Sequence, residues 1–101
     1  DVDRWGDLNR QFHNALYVPS GRHKTLEIVR GLLLNADRYT RLVLTVGYGI
    51  HQAQEDHGGI LDLCKRGHVN QAAALTRDHI ERTGTELLAM LDQRETTLHR
   101  A

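Results

Sequence analysis

The sequence predicts an all-α fold, an antiparallel bundle of four helices, on three observations. Apolar residues recur with the three-to-four-residue period of a helix and nowhere sustain the alternation of a strand. One proline, Pro19, and glycines at 47/49, 58/59 and 67 are the main punctuation of the 101-residue chain. The connections between the periodic stretches are short, which makes successive helices antiparallel neighbours.

The first helix is expected from about Asp3 to Tyr17, with Trp5, Leu8, Phe12, Ala15 and Leu16 along one stripe. Val18-Pro19-Ser20-Gly21 ends it, because proline disfavours helix in the residue before it and glycine permits a left-handed turn. The second runs roughly from Lys24 to Thr45, on a stripe through Leu26, Val29, Leu33, Tyr39, Leu42 and on to Val46. Gly47-Tyr48-Gly49 interrupts the pattern, and a third helix follows from about Ile50 to Lys65, with Ile50, Ala53, Ile60, Leu61 and Cys64 inward. Gly58 and Gly59 fall inside it and cost about 1 kcal/mol each relative to Ala, so close packing of a neighbour or a local kink is expected there. Gly67 suits a helix C-cap. The fourth helix starts near Val69 and reaches Thr97, with Ala72, Ala73, Ile80, Leu87, Met90 and Leu91 inside. No internal repeat, linker or low-complexity segment interrupts the chain.

Composition narrows the function. A length of 101 residues with 40% hydrophobic content supports one domain and one modest core. Lys and Arg number 13 and so do Asp and Glu, so there is no excess of positive charge with which to displace counterions from nucleic acid. The longest stretch without a charged residue or histidine, Leu42 to Ile50, is far shorter than the ~20 apolar residues that span a bilayer. No charged-then-apolar leader opens the sequence. A single cysteine, Cys64, excludes an internal disulfide and fits a reducing, cytoplasmic setting.

Seven histidines are many for this length, and the useful question is which of them lie on an apolar stripe. His57 shares the inner face of the third helix with Ile50, Ala53, Ile60 and Leu61. On the first helix Asn9 and His13 lie one turn apart, beside the stripe of Trp5, Leu8, Phe12 and Leu16. On the fourth, His79 sits at the stripe's edge among Ala72, Thr76, Thr83 and Leu87. Polar groups aimed inward need partners. One reading makes them hydrogen-bonded core histidines. The other gathers them around a divalent metal, for which neutral imidazole is a good ligand and the Asn carbonyl a weaker one, with coordination positions left open. Nitrogen-rich donors favour zinc or nickel over magnesium or calcium. Cys64 is two turns beyond His57, too far along the helix to share the ion. His23, His51, His68 and His99 are assigned to no site, and Glu55 and Asp56 are expected to flank His57 off the inner stripe, facing solvent.

The ordered set Asn9-Arg10-Gln11-Phe12-His13-Asn14-Ala15-Leu16, Ser20-Gly21, Asp37-Arg38-Tyr39, Asp56-His57 with Ile60, and Gly67 with Ala72–Ala74 and His79 before Ile80-Glu81-Arg82 resembles a known family. It is similar to the FCD domain, the C-terminal effector-binding domain of the FadR subgroup of GntR transcriptional regulators. The resemblance spans nearly the whole chain in order and spacing, so residues 1–101 are expected to form one FCD-like effector-binding and dimerisation domain, part of a larger FCD-type bundle. It implies a bundle that binds a small organic acid, often beside a divalent metal, and a homodimer acting as a repressor rather than an enzyme. Carried over residue by residue, the metal ligands are Asn9, His13, His57 and His79, and the effector-binding arginines are Arg38 and, second, Arg41. Asn9 stands where the family often has Asp, which lowers the ligand charge, and His68 replaces the Asp that usually caps the last helix. The family's winged-helix domain and opening helices have no counterpart in the sequence, so contact with DNA is expected only through a domain outside this chain. The alternative weighed beside this reading is a metal-dependent helical-bundle enzyme acting on a small carboxylate.

Overall fold

The computed structural model describes residues 2–45 and 49–100, with side chains placed for 4–39, 41 and 50–93. The described chain is helical, in the order α1 (Val2–Tyr17), a 3-10 turn (Val18–Ser20), α2 (His23–Thr45), α3 (Gly49–Lys65) and α4 (Val69–Arg100), with no strand among the described residues. These bounds fall within three residues of the expected ones at every end. Two compact units result, Asp1–Thr45 and Val46–Ala101, each built on a helical hairpin. The break at Gly47-Tyr48 and the stripe position Val46 lie outside the described residues, as do the side chains of Leu42 and His99. Among the described residues no helix is long and apolar enough to cross a membrane.

In the first hairpin, Pro19 at the head of the 3-10 turn and Gly21 in the left-handed region (φ 69°) reverse the chain. The Gly21 N–H closes the turn on the Val18 carbonyl at 3.2 Å, and the Arg22 N–H reaches Ser20 Oγ at 3.3 Å. The row of α1 that meets α2 is small and polar. Asn14 Oδ1 accepts from Arg30 Nε at 2.9 Å, and Arg10 pairs with Asp37 at 2.6 Å and with Asp7 on its own helix. Gly6 lies so close that a Cβ there would stand 2.7 Å from Asp37 Oδ1. Gly6, Arg10 and Asn14 are four residues apart and so stack on one face, while the partners 30 and 37 run the other way, as an antiparallel pair requires. Trp5, Phe12 and Leu16 are half-buried as expected and Leu26 is buried, but Leu8, at 51% exposure, and Ala15 are not part of the packed face. The correction has a simple cause, since the seam with α2 follows the Gly6–Arg10–Asn14 row.

In the second hairpin, the row of α3 that faces α4 runs through Gln52, Asp56, Gly59, Ile60 and Leu63, alongside the expected Ile50, Ala53 and His57. Ile60 is fully buried. A Cβ on Gly59 would stand 3.0 Å from Leu75 Cδ2, so this glycine serves close helix approach, whereas the space around Gly58 is open. Leu61 and Cys64, expected inside, lie on the exposed flank of that row. On α4 the inner row is Ala72, Leu75, Thr76, His79, Arg82, Leu87, Met90 and Leu91, while Ala73 and Ile80 are exposed. His79 occupies the middle of that row and not its edge. Gly67 (φ 75°) caps α3 as expected, with the His68 N–H on the Leu63 carbonyl at 2.9 Å and its own N–H on the Cys64 carbonyl at 3.1 Å. This paired arrangement satisfies two carbonyls at the helix end.

Candidate functional site

The densest polar cluster in the second hairpin is buried between α3 and α4. Asp56 and His79 have side chains only 7% and 8% exposed, and His79 Nδ1 lies 2.8 Å from Asp56 Oδ2. Arg82, one turn beyond His79, donates from Nη2 to the same oxygen at 3.0 Å, and Gln52, one turn before Asp56, donates from Nε2 to Oδ1 at 3.0 Å. Burial pushes the Asp56 carboxyl up, but the hydrogen bonds from His79 and Gln52 and the charge of Arg82 outweigh it and hold the group below its usual 3.8. The carboxylate is thus ionised inside the hairpin because three donors converge on it.

His57, next along α3 from Asp56, packs its ring edge-on against that of His79, with centroids 5.0 Å apart. A ring nitrogen of each lies within 4.8 Å of the other. Burial, with a smaller electrostatic contribution from His79 in the same direction and an opposing one from Asp56, lowers the pKa of His57 to about 4. At neutral pH its imidazole is therefore uncharged and carries a lone pair.

In the first hairpin His13 is 4% exposed, with Nδ1 3.2 Å from the Tyr17 hydroxyl one turn on and its ring centroid 5.8 Å from that of Tyr17. Burial raises the pKa of Tyr17, which keeps the phenol neutral as a hydrogen-bonding group. Asn9, one turn before His13, is half-buried. Arg38 and Arg41 are both exposed. Arg38 donates to the Tyr39 hydroxyl at 3.0 Å and lies 4.9 Å from the centre of its ring, while Arg41 reaches Asp37 Oδ2 at 3.3 Å. Of the histidines assigned to no site, His23, His51 and His68 are exposed.

The expectation that Asp56 faces solvent is overturned, whereas Glu55 is exposed as expected. The signal was available in the spacing. Gln52, Asp56 and Ile60 fall on one row of α3, and His79 and Arg82 on one row of α4, so an acid between an amide and an apolar residue faces a basic pair. Chemically, the second hairpin offers two neighbouring imidazoles, one backed by an ionised carboxylate. That donor set fits a borderline divalent ion such as zinc or nickel.

The family model of the FCD domain matches residues 1–82, a span that takes in both polar clusters. Comparison with curated proteins and with solved structures returned no match.

Proposed function

Because this chain belongs to the FCD domain family, the C-terminal effector-binding domain of GntR-family regulators, we propose that it senses a small organic acid together with a divalent metal. In this reading Asn9, His13, His57 and His79 hold the ion, zinc or nickel by their donor chemistry. When bound, the metal supplies a Lewis-acidic centre to which an anionic ligand is drawn. All four donors are neutral, so the charge of a divalent ion stays uncancelled by its ligands, and a carboxylate effector is the species that balances it. A guanidinium matches a carboxylate bidentately, and Arg38, with Arg41 second, is assigned to that contact.

The observation that carries the reading is the cluster of buried Asp56 and His79 with half-buried His57 within the matched span. In a homodimer, differential affinity of the effector for two arrangements would shift the spacing of winged-helix domains attached to the regulator and so modulate repression from the cytoplasm. The alternative, a metal-dependent enzyme acting on a small carboxylate, needs a carboxylate to serve as base. Asp56 already accepts three hydrogen bonds and Glu55 is exposed, which favours the sensor.

The test is metal analysis of the purified protein followed by calorimetric titration with small mono- and dicarboxylic acids. Stoichiometric metal and an acid binding in the micromolar to millimolar range are expected. Absence of both would defeat the proposal, and turnover of the acid would replace it with the enzyme.

A further inference from the structure

The side chain that fixes how His79 is presented is Asp56, and we infer that Asp56 is a positioning residue that sets the imidazole's tautomer and orientation for metal binding. The inference rests on the metal reading above. A neutral imidazole carries its proton on one nitrogen and a lone pair on the other. His79 Nδ1 stands 2.8 Å from Asp56 Oδ2, and an ionised carboxylate can only accept, so the proton belongs on Nδ1. The lone pair is thereby placed on Nε2, the atom available to a metal. Free neutral histidine prefers the opposite arrangement, so the protein imposes this one.

Asp56 is held in turn. Arg82 fixes Oδ2 from α4 and Gln52 fixes Oδ1 from α3, so the carboxylate plane is set by two donors besides the histidine. The rings of His57 and His79, 5.0 Å apart, leave His79 little room to flip without disturbing its neighbour. A buried carboxylate behind a ligating histidine both orients the ring and raises its basicity, and loss of such a partner typically lowers metal affinity by about 10–100-fold.

The test combines two readouts on the full chain. On metal-free, nitrogen-15-labelled protein, at a pH high enough for the ring to hold a single proton, long-range proton–nitrogen correlations of His79 should show Nδ1 protonated and Nε2 unprotonated. In Asp56→Ala the Nε2–H tautomer should appear, and calorimetry should show Zn2+ binding weakened by about 10–100-fold. Gln52→Ala, which removes a donor to the far oxygen only, should keep the wild-type tautomer. An Nε2–H tautomer in the wild type overturns the inference whether or not any variant folds, and so does Zn2+ affinity unchanged in Asp56→Ala. Wild-type protein that binds no Zn2+ overturns the metal reading instead, and the tautomer, read without metal, is decided separately.

Discussion

Asp56 of α3 and His79 of α4 join their helices through a 2.8 Å hydrogen bond between side chains less than a tenth exposed. With His57 beside them, they make the second hairpin sensitive to acid. Unfolded His57 takes up a proton as pH falls through 6.5, while folded His57 resists protonation until about 4. The unfolded state therefore binds more protons across that window, and stability falls as pH drops through it. Asp56 extends the effect. Its folded pKa lies below 3.8, so its contribution is fully present above that value and is lost as pH falls through the folded one. Thermal unfolding of metal-free protein should show a midpoint that declines from pH 7 to 4, with a shallower decline in His57→Gln. Equal slopes for the two proteins would rule out a half-buried His57 that resists protonation.

The two adjacent glycines of α3 should respond differently to the same substitution. A Cβ at Gly58 meets nothing within 4 Å, so Gly58→Ala should gain the helix-propensity difference of about 1 kcal/mol. At Gly59 the new methyl arrives 3.0 Å from Leu75 Cδ2, which has to give way by a few tenths of an ångström. Gly59→Ala should therefore gain less than Gly58→Ala, and Gly59→Val should lose stability in urea unfolding. A larger gain at Gly59 than at Gly58 would contradict the close approach of α3 and α4.

Most of the fold was legible because periodicity and punctuation report on local geometry. Pro19-Ser20-Gly21 and Gly67 mark helix ends through backbone preference, which needs no knowledge of the neighbour. The inward rows were less legible. Periodicity gives the apolar side of a helix, but the seam is wherever the partner helix lies. In the first hairpin that seam is Gly6, Arg10 and Asn14, a small and polar row that hydropathy does not single out. In the second, Asp56 falls off the apolar stripe of α3, and a carboxylate on an inner face is costly alone. Only the convergence of His79, Arg82 and Gln52 makes it tolerable, and two of those three donors come from a helix that the local pattern of α3 cannot see. The histidines were legible as inward groups because they interrupt apolar stripes. His51, with Glu55 one turn on, interrupts no such stripe and is exposed.

Gly6 and Asp37 supply a double-mutant cycle for the first hairpin. A methyl at Gly6 would stand 2.7 Å from Asp37 Oδ1, and that carboxylate is held by Arg10 and Arg41. Gly6→Ala should lower stability by about 1–3 kcal/mol, the usual cost of overpacking. In an Asp37→Ala background the obstruction is gone, and the same change should be neutral or stabilising through helix propensity. The two changes are then strongly non-additive, the double variant losing less stability than the sum of the single ones. Additive effects would mean that the seam does not run through Gly6.

Metal binding should separate the inward-facing histidines from the exposed ones. His57→Ala and His79→Ala each remove an imidazole from the cluster of the second hairpin, and His13→Ala removes the buried imidazole of the first. Each should cut the metal retained after gel filtration, measured by mass spectrometry. His23→Ala and His51→Ala remove exposed rings and should leave retention unchanged. Because folded His57 titrates near 4, it is already neutral at pH 7 and contributes no proton release on metal binding. Proton release, read from calorimetry in buffers of different ionisation enthalpy, should therefore be the same for wild type and His57→Ala even though affinity falls. Retention lost equally in the His51 and His57 variants would mean that zinc or nickel binds the histidine-rich surface and that the buried rings serve packing alone.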